Sequence, residues 1–158
     1  KRQDQVSRGV YTLPEVWEDE FVSIQERYKR GVFALDTALF LHDLTDRTPH
    51  KFHMAFPYGY NTSSPKAAGI LCSCKKEPYY SLGIALVDTP AGNTVRAYNA
   101  EKTLCEILKP ISHTDIQIIT DAFKRYAGRK DKNIPLLSEY AHQLRVEKRL
   151  RPYLEVLL

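Results

Sequence analysis

The sequence predicts an α+β fold in which helices cover a small mixed or antiparallel sheet and a run of about four helices ends the chain. Two patterns indicate this class. Residues 50–98 hold short apolar or alternating segments, separated by loops rich in Gly, Pro, Asn and Ser, which is typical of strands. From Asn99 onward, apolar residues recur three and four positions apart, which is typical of helices.

The N-terminal part of the chain predicts a strand followed by a helix. Residues 6–13 have the composition of a short strand. Thr12 and Glu15 have the spacing of a capping box, and Pro14 between them suits a first helical turn, so we expect a helix over residues 15–29. Its apolar stripe consists of Trp17, Phe21, Ile24 and Tyr28.

The middle of the chain predicts the sheet. Asp36 is expected to cap a short helix over residues 37–44. Residues 50–56 alternate between apolar and polar side chains, which predicts a strand with one face in a core. Residues 57–66 are rich in Tyr, Gly, Asn, Ser and Pro, so we expect a surface loop there. Further strands are predicted over residues 69–74, 81–87 and 94–98, the last two forming a hairpin.

The last part of the chain predicts helices alone. Ser112 or Thr114 is a candidate N-cap for the second of them. Pro152 lies inside the last one and is expected to kink it or to delay its start. The predicted helices cover residues 100–108, 115–127, 133–145 and 147–157.

Composition limits the possible classes of protein. The chain has 158 residues, of which 43% are hydrophobic and 27% charged, as in ordinary globular domains. No apolar run approaches the ~20 residues of a membrane span, and the first residues lack the apolar stretch of a signal peptide. Cys72, Cys74 and Cys105 are expected to be reduced thiols. We therefore expect a cytoplasmic protein that does not enter membranes.

Motifs for catalysis or for cofactor binding are weak in this sequence. It contains neither a Gly-x-Ser-x-Gly elbow nor a glycine-rich phosphate loop. The cysteines lack the spacing of a zinc site, and His50 and His53 would point to opposite sides of a strand. We expect no enzyme and no cofactor. The main enzymatic alternative is a metal-dependent nuclease or phosphotransferase that uses Asp88, Glu101 and Lys102.

Clusters of positive charge suggest nucleic acid as a partner. The net charge of +4, from 23 basic and 19 acidic residues, permits such contact without requiring it. The candidate DNA contacts in the helical part are Lys124, Arg125, Arg129, Lys130 and Lys132, and a second basic group consists of Arg145, Lys148, Arg149 and Arg151. A standalone nucleic-acid-binding module is therefore an alternative, and a solvated helix end is the simpler explanation of both groups.

The predicted loop over residues 57–66 supplies the candidates for partner binding. Its polar groups could hold a phosphate or the backbone of another protein, although a plain connecting loop also fits. The candidate partner-binding residues are Tyr58, Tyr60 and Asn61.

Six stretches, taken in order, resemble the AbiEi family, the antitoxins of bacterial type IV abortive-infection toxin–antitoxin systems. Together they extend over most of the chain, and their order is more specific than any one of them. The stretches are RGVY (residues 8–11), LPEVWEDE (13–20), TALFLHDLTDRTP (37–49), FPYGYNTS (56–63), TPAGNTVR (89–96) and AEKTLCE (100–106).

The resemblance implies a regulator with two parts. Members of the family carry an N-terminal winged helix-turn-helix, which binds operator DNA and represses the operon, and an α/β C-terminal domain, which counteracts a nucleotidyltransferase-like toxin. The resemblance brings no catalytic motif with it.

The resemblance also implies a domain boundary in this chain. Because the sequence starts with Lys, we expect it to begin inside a longer protein. Residues 1–13 would be the terminal strand of a truncated winged-helix domain, and residues 14–158 the antitoxin domain. Lys1, Arg2 and Arg8 are then candidate remnants of an edge that contacts DNA.

Overall fold

The structure is a computed structural model that describes residues 19–157. The predicted terminal strand over residues 1–13, with Lys1, Arg2 and Arg8, lies outside the described residues. In chain order the elements are α1 (Glu20–Arg27), β1 (Val32–Phe33), α2 (Leu35–Leu41), β2 (His53–Pro57), α3 (Ser63–Ala67), β3 (Leu71–Lys75), β4 (Ile84–Asp88), β5 (Thr94–Tyr98), α4 (Ala100–Ile107), a 3₁₀ turn (Pro110–Ser112), α5 (Ile116–Ala127), α6 (Ile134–Leu144) and α7 (Glu147–Leu157).

The strands form one mixed sheet in the order β3-β2-β1-β5-β4. β1 runs antiparallel to β2 and parallel to β5, while β2 and β3 are parallel and β4 and β5 form an antiparallel hairpin. Although β1 is short, Val32 and Phe33 are fully buried because this strand lies in the middle of the sheet. The α+β prediction is confirmed, and the sheet is the mixed one of the two predicted types.

One face of the sheet carries an aromatic core beneath α1. Phe21 of α1 stacks on Phe52, with ring centroids 4.6 Å apart, and meets Phe33 edge-on at 5.4 Å. Met54 and Phe56 of β2 lie fully buried in the same cluster. Phe21, Ile24 and Tyr28 of the predicted apolar stripe thus fix α1 to the sheet, while Trp17 lies outside the described residues.

The start of α1 differs from the helix predicted over residues 15–29. Asp19 has extended backbone angles and is the N-cap, since its carboxylate accepts a hydrogen bond from the Phe21 amide at 3.1 Å. A helix that ran continuously from residue 15 would need helical angles at Asp19. The side-chain cap and the acidic first turn therefore move the start to Glu20.

The opposite face of the sheet faces α4, in which every residue is buried and from which Lys102 reaches the Tyr98 ring and Glu106 reaches Lys75. Ala55 of β2 lies on this side and packs with Tyr80 and Tyr98. The prediction of a polar face for the strand at residues 50–56 is therefore wrong at Ala55. β2 is an inner strand that is covered on both sides, which the alternation alone did not indicate.

The predicted run of four C-terminal helices is confirmed by α4 to α7. These helices build a core around Leu104 together with residues of α2 such as Leu39. α7 begins at Glu147 as predicted, with Pro152 inside it. No helix within residues 19–157 combines the length and the apolar character that a membrane span requires.

The predicted capping residues need correction in two helices. Asp115, and not Ser112 or Thr114, caps α5 by accepting the Gln117 amide at 2.7 Å. α2 begins at Leu35, so Asp36 lies in its first turn, where its carboxylate accepts the Thr37 amide at 2.9 Å. In both cases the first acidic residue at the helix start makes the bond to the backbone.

The predicted surface loop over residues 57–66 contains a short helix. α3 covers Ser63–Ala67, and its Pro65 is buried. Proline suits the first turn of a helix, because the amide hydrogen that it lacks has no partner there. The loop is therefore shorter than predicted and returns directly to β3.

Candidate functional site

A groove with a volume of about 760 Å³ lies between the β3 edge of the sheet and the segment that follows α4. β2 and β3 form its floor, and the end of α4 with the 3₁₀ turn forms one wall. The residues that define this lysine groove are Lys51, His53, Lys66, Leu71, Ser73, Lys75, Glu106, Lys109 and Ile111.

The floor of the lysine groove follows from the register of two parallel strands. Ala55 pairs with Ser73, and Pro57 pairs with Lys75, so Ser73 and Lys75 lie on the side of the sheet that His53 also occupies. His53 Nε2 and Ser73 Oγ lie 2.6 Å apart in a hydrogen bond. Burial, reinforced by the charge of Lys75, lowers the pKa of His53 to about 4. The imidazole is therefore neutral near pH 7.

Glu106 of α4 forms the wall opposite this pair. Its side chain is only 4% exposed, and one of its oxygens forms an ion pair with Lys75. Burial opposes ionisation of this carboxyl, but Lys75, Lys102 and Lys109 together hold the pKa of Glu106 below its usual value. The wall of the groove is thus a buried, charged carboxylate with lysines beside it.

The second oxygen of Glu106 is not satisfied. Oε1 is buried and has no hydrogen-bond partner within the described part of the chain. The Lys109 Nζ lies 3.8 Å from it, which is too far for a hydrogen bond. A buried acceptor without a donor is uncommon in folded proteins, and it is one of the features that mark sites for ligands or ordered water.

The rim of the lysine groove is both basic and apolar. Lys51 and Lys66 are exposed there, so four lysines face one carboxylate across the groove. Leu71 and Ile111 are 46% and 81% exposed at the same rim. This combination can bind an anion that has an apolar or aromatic part.

The residues of the enzymatic alternative do not come together. Asp88 pairs with Thr94 at one end of the β4–β5 hairpin, whereas Glu101 and Lys102 follow the opposite end of β5. Within residues 19–157, no group of three or more His, Cys, Asp or Glu side chains is arranged to hold a metal ion.

Glu101 and Lys102 have internal partners instead. Tyr126 donates its hydroxyl hydrogen to Glu101 Oε2 at 2.6 Å. Lys102 is fully buried and donates to the carbonyl oxygens of Tyr79 and Leu82 at 2.8 and 3.0 Å. Burial lowers the pKa of Lys102 to about 8. These bonds fix the chain before β4 and the last turn of α5 onto α4.

Two cations of the predicted DNA-binding cluster bond to carbonyl oxygens at helix ends, Arg129 at the end of α2 and Lys132 at the end of α5. Arg129 forms two hydrogen bonds of 2.9 Å with the Asp131 carboxylate and a third, of 2.7 Å, with the His42 carbonyl oxygen. Lys132 donates to the Ala127 carbonyl oxygen at 3.0 Å. These groups satisfy backbone carbonyls at a helix end, as lysine and arginine often do.

The remaining cations of the cluster differ in whether they form an ion pair. Arg125 forms a salt bridge of 2.8 Å with Asp121 one turn earlier. Lys124 and Lys130 are exposed and form no ion pair with any residue in the described range. The second basic group is exposed throughout, at Arg145, Lys148, Arg149 and Arg151.

The predicted partner-binding residues lie in three different environments. Tyr58 is 69% exposed, with the Lys76 Nζ 4.9 Å from the centre of its ring. Tyr60 stacks on Phe56 at 4.6 Å and belongs to the core. The Asn61 side chain accepts the Ser63 amide at 3.0 Å and so forms the turn before α3. Tyr58 and Asn61 are therefore both exposed to a partner, whereas Tyr60 is half-buried.

The lysine groove was not among the sites predicted from the sequence. Lys75 and Glu106 are distant in the sequence; Lys75 belongs to no motif, and Glu106 ends the stretch AEKTLCE, which implies no site there. One signal was available, namely that Glu106 lies in a helix whose neighbouring positions are apolar, where a carboxylate needs a partner. The partner follows only from the sheet order.

The comparisons with known proteins do not place this chain in a family. It matches no protein-family model and no curated protein at a significant level of similarity. The resemblance to AbiEi antitoxins therefore stays a prediction from the sequence.

Proposed function

We propose that this chain is the domain of a type IV abortive-infection antitoxin that counteracts the toxin, and that it acts through surface contact and not through catalysis. Its functional partner is a nucleotidyltransferase-like toxin. The proposal rests on the six stretches that resemble AbiEi antitoxins. Cytoplasmic location is part of the same proposal.

Contacts between separate stretches support this proposal. Asp19 lies in the second stretch, and its carboxylate accepts hydrogen bonds from Thr89 and Asn93 in the fifth. Leu39 of the third stretch and Leu104 of the sixth share one core. Stretches that are far apart in the sequence therefore meet in one folded unit, as expected if together they are the signature of a single domain.

The partners of the charged residues in α4 favour surface contact over catalysis. Glu101 and Lys102 are engaged in bonds that hold the fold together, and Asp88 lies at the far end of the hairpin. A metal-dependent nuclease would need its carboxylates side by side. Glu101 and Lys102 therefore have structural roles, and Asp88 lies apart from both.

Operator DNA is a further partner in this proposal, through the winged helix that precedes this domain in AbiEi proteins. Lys124 and Lys130 could add phosphate contacts, because each is exposed and lacks an ion pair within residues 19–157. We expect the double change to Ala in the full-length protein to make the plot of log K for operator binding against log salt concentration less steep. The slope should fall by about one to two, because each lysine lost releases about one counterion fewer. An unchanged salt slope would remove these lysines from the DNA interface.

The test of the antitoxin proposal is co-expression with the nucleotidyltransferase-like protein encoded beside this gene. We expect the full-length protein to restore colony growth when the toxin is induced, and this chain to contribute that activity. The matched control is Leu104→Asp, which places a charge in the core and removes the folded domain. If the toxin kills cells equally whether they express the full-length protein or this control variant, the proposal is overturned.

A further inference from the structure

We propose that the lysine groove binds a small phosphorylated molecule whose neutral part carries an N–H or O–H donor, the chemical class of a nucleoside monophosphate. This inference goes beyond the proposed function and does not depend on it. Three independent features of the groove support it: its charge, its unsatisfied acceptor and its size.

The charge of the groove selects an anion. Lys51, Lys66, Lys75 and Lys109 line it, and Glu106 is the carboxylate opposite them. Glu106 pairs with both Lys75 and Lys109, and this single carboxylate facing four lysines leaves the groove with an excess of positive charge. His53 and Ser73 on the floor are bonded to each other and add no charge. A phosphate dianion offers several acceptor oxygens to ammonium groups around a rim.

The unpaired oxygen of Glu106 favours a ligand that also carries a hydrogen-bond donor. Glu106 lines the groove and is 4% exposed, and its buried Oε1 accepts no hydrogen bond within residues 19–157, although the charged Lys109 Nζ lies 3.8 Å away. A phosphate would be repelled there, since both groups are negative. An amino, imino or hydroxyl donor on the same ligand would satisfy this acceptor. A free phosphate therefore fits only part of the site.

The size and rim of the groove fit a molecule larger than an inorganic anion. Its volume of about 760 Å³ lies within the range of roughly 300–1,000 Å³ that is typical of small-molecule sites. Leu71 and Ile111 expose apolar surface beside the lysines. A flat ring can pack on these side chains while its donors face Glu106 and the phosphate faces the lysines.

Isothermal titration calorimetry of this chain with AMP and GMP tests the inference. Adenosine, guanosine and inorganic phosphate are the comparison ligands, because each is one of the two halves of these nucleotides. We expect at least one nucleotide to bind at least about tenfold more tightly than either of its halves. Amide chemical shifts in ¹⁵N–¹H spectra are expected to change at residues 71–75 and 109–113, which locates the ligand in the groove.

Matched lysine variants distinguish binding in the groove from non-specific attraction to the positive charge of the protein. Lys66→Ala and Lys109→Ala are each expected to weaken nucleotide binding about fivefold. Lys130→Ala removes an exposed lysine outside the groove and is expected to leave the affinity unchanged. Glu106→Gln is expected to reduce the preference for nucleotide over phosphate. Because Glu106 also pairs with Lys75, thermal unfolding checks that variant, and Lys66→Ala provides the test if it does not fold.

Three results would overturn the inference. The first is that neither nucleotide binds at millimolar concentration, and the second is that the shifted amides lie outside the groove. The third is that a hexaglutamate peptide binds as tightly as the nucleotides, with the same dependence on Lys109, which would identify an acidic protein segment as the ligand. The growth test of antitoxin activity adds no nucleotide, so the two proposals can fail separately.

Discussion

Asp19 accepts a hydrogen bond of 2.6 Å from the hydroxyl of Thr89, which lies 70 positions later in the chain. The same carboxylate oxygen accepts the Asn93 side-chain amide at 2.9 Å, while the other oxygen caps α1 through the Phe21 amide. One carboxylate thus joins the start of α1 to the turn of the β4–β5 hairpin. The contact closes α1 over the sheet.

The bonds of Asp19 predict a measurable cost for its removal. Asp19→Ala loses the helix cap and both bonds to the hairpin turn, so we expect the free energy of unfolding to fall by about 2 kcal/mol. The midpoint of urea denaturation measures this change. Asp46→Ala, which removes an exposed loop carboxylate, is the control and should stay within about 0.5 kcal/mol of the parent. Equal effects would contradict a special role for Asp19.

The hydroxyl of Tyr126 predicts a similar cost within the helical core. It donates to Glu101 Oε2 and accepts the Asn133 amide at 2.7 Å. Tyr126→Phe leaves a buried carboxylate without this donor, so we expect a loss of about 2 kcal/mol in chemical denaturation. Tyr58→Phe removes an exposed hydroxyl and should have no measurable effect. A Tyr126→Phe protein as stable as its parent would show that Glu101 is satisfied in another way.

The two glycines at 83 and 92 form a matched test of steric crowding. Both have positive φ, of 83° and 90°, so alanine is strained at either position. A Cβ at Gly83 would lie 2.7 Å from the Lys102 Cβ, whereas one at Gly92 would meet no atom within 4 Å. We expect Gly83→Ala to lower the melting temperature clearly more than Gly92→Ala does. Equal shifts would argue against the close packing of Lys102 beneath this turn.

Burial of His53 predicts a stability that depends on pH. Its folded pKa of about 4 lies below the value of 6.5 expected in the unfolded chain, so the unfolded state binds more protons between these pH values. The free energy of unfolding should therefore fall as the pH drops from 6.5 to 4, by at most about 3 kcal/mol from this group. Denaturation at several pH values measures the slope. His53→Gln cannot titrate and should have a shallower slope, and identical slopes would contradict the prediction.

The two neighbouring cations Arg129 and Lys130 are expected to behave differently. Arg129 joins Asp131 to the His42 carbonyl, so Arg129→Ala should lower the free energy of unfolding by about 1 kcal/mol. Lys130 is exposed, and Lys130→Ala should leave stability unchanged. Thermal denaturation of both variants gives the comparison. If both are neutral, the bonds of Arg129 do not contribute to the fold.

Local patterns predicted most of the elements. The hairpin strand over residues 94–98, the helix at α4 and the helix at α7 agree with the structure at nearly every boundary, because capping residues and apolar spacing act over a few positions. Errors arose where a distant contact decides the outcome. Asp19 caps the first helix, so the helix begins later than predicted, and Ala55 is covered on a face predicted to be polar.

The candidate sites were harder to predict for the same reason. Lys75 and Glu106 meet because β3 lies at the sheet edge beside the end of α4, and sheet order is not encoded in local spacing. Conversely, Arg129 and Lys132 stood out as a charge cluster, although their hydrogen-bond partners are backbone and neighbouring groups. Charge density in a sequence does not separate free cations from engaged ones.

The central position of β1 has a consequence for synthesis on the ribosome. β1 pairs on one side with β2, which is synthesised soon after it. On its other side it pairs with β5, where Phe33 lies beside Ala97, and β5 is synthesised much later. At translation rates of roughly 5–20 residues per second, the nascent chain spends on the order of seconds with one edge of its innermost strand open. During that interval the core cluster that contains both Phe33 and Ala97 is incomplete, so the N-terminal half depends on the hairpin for its final packing.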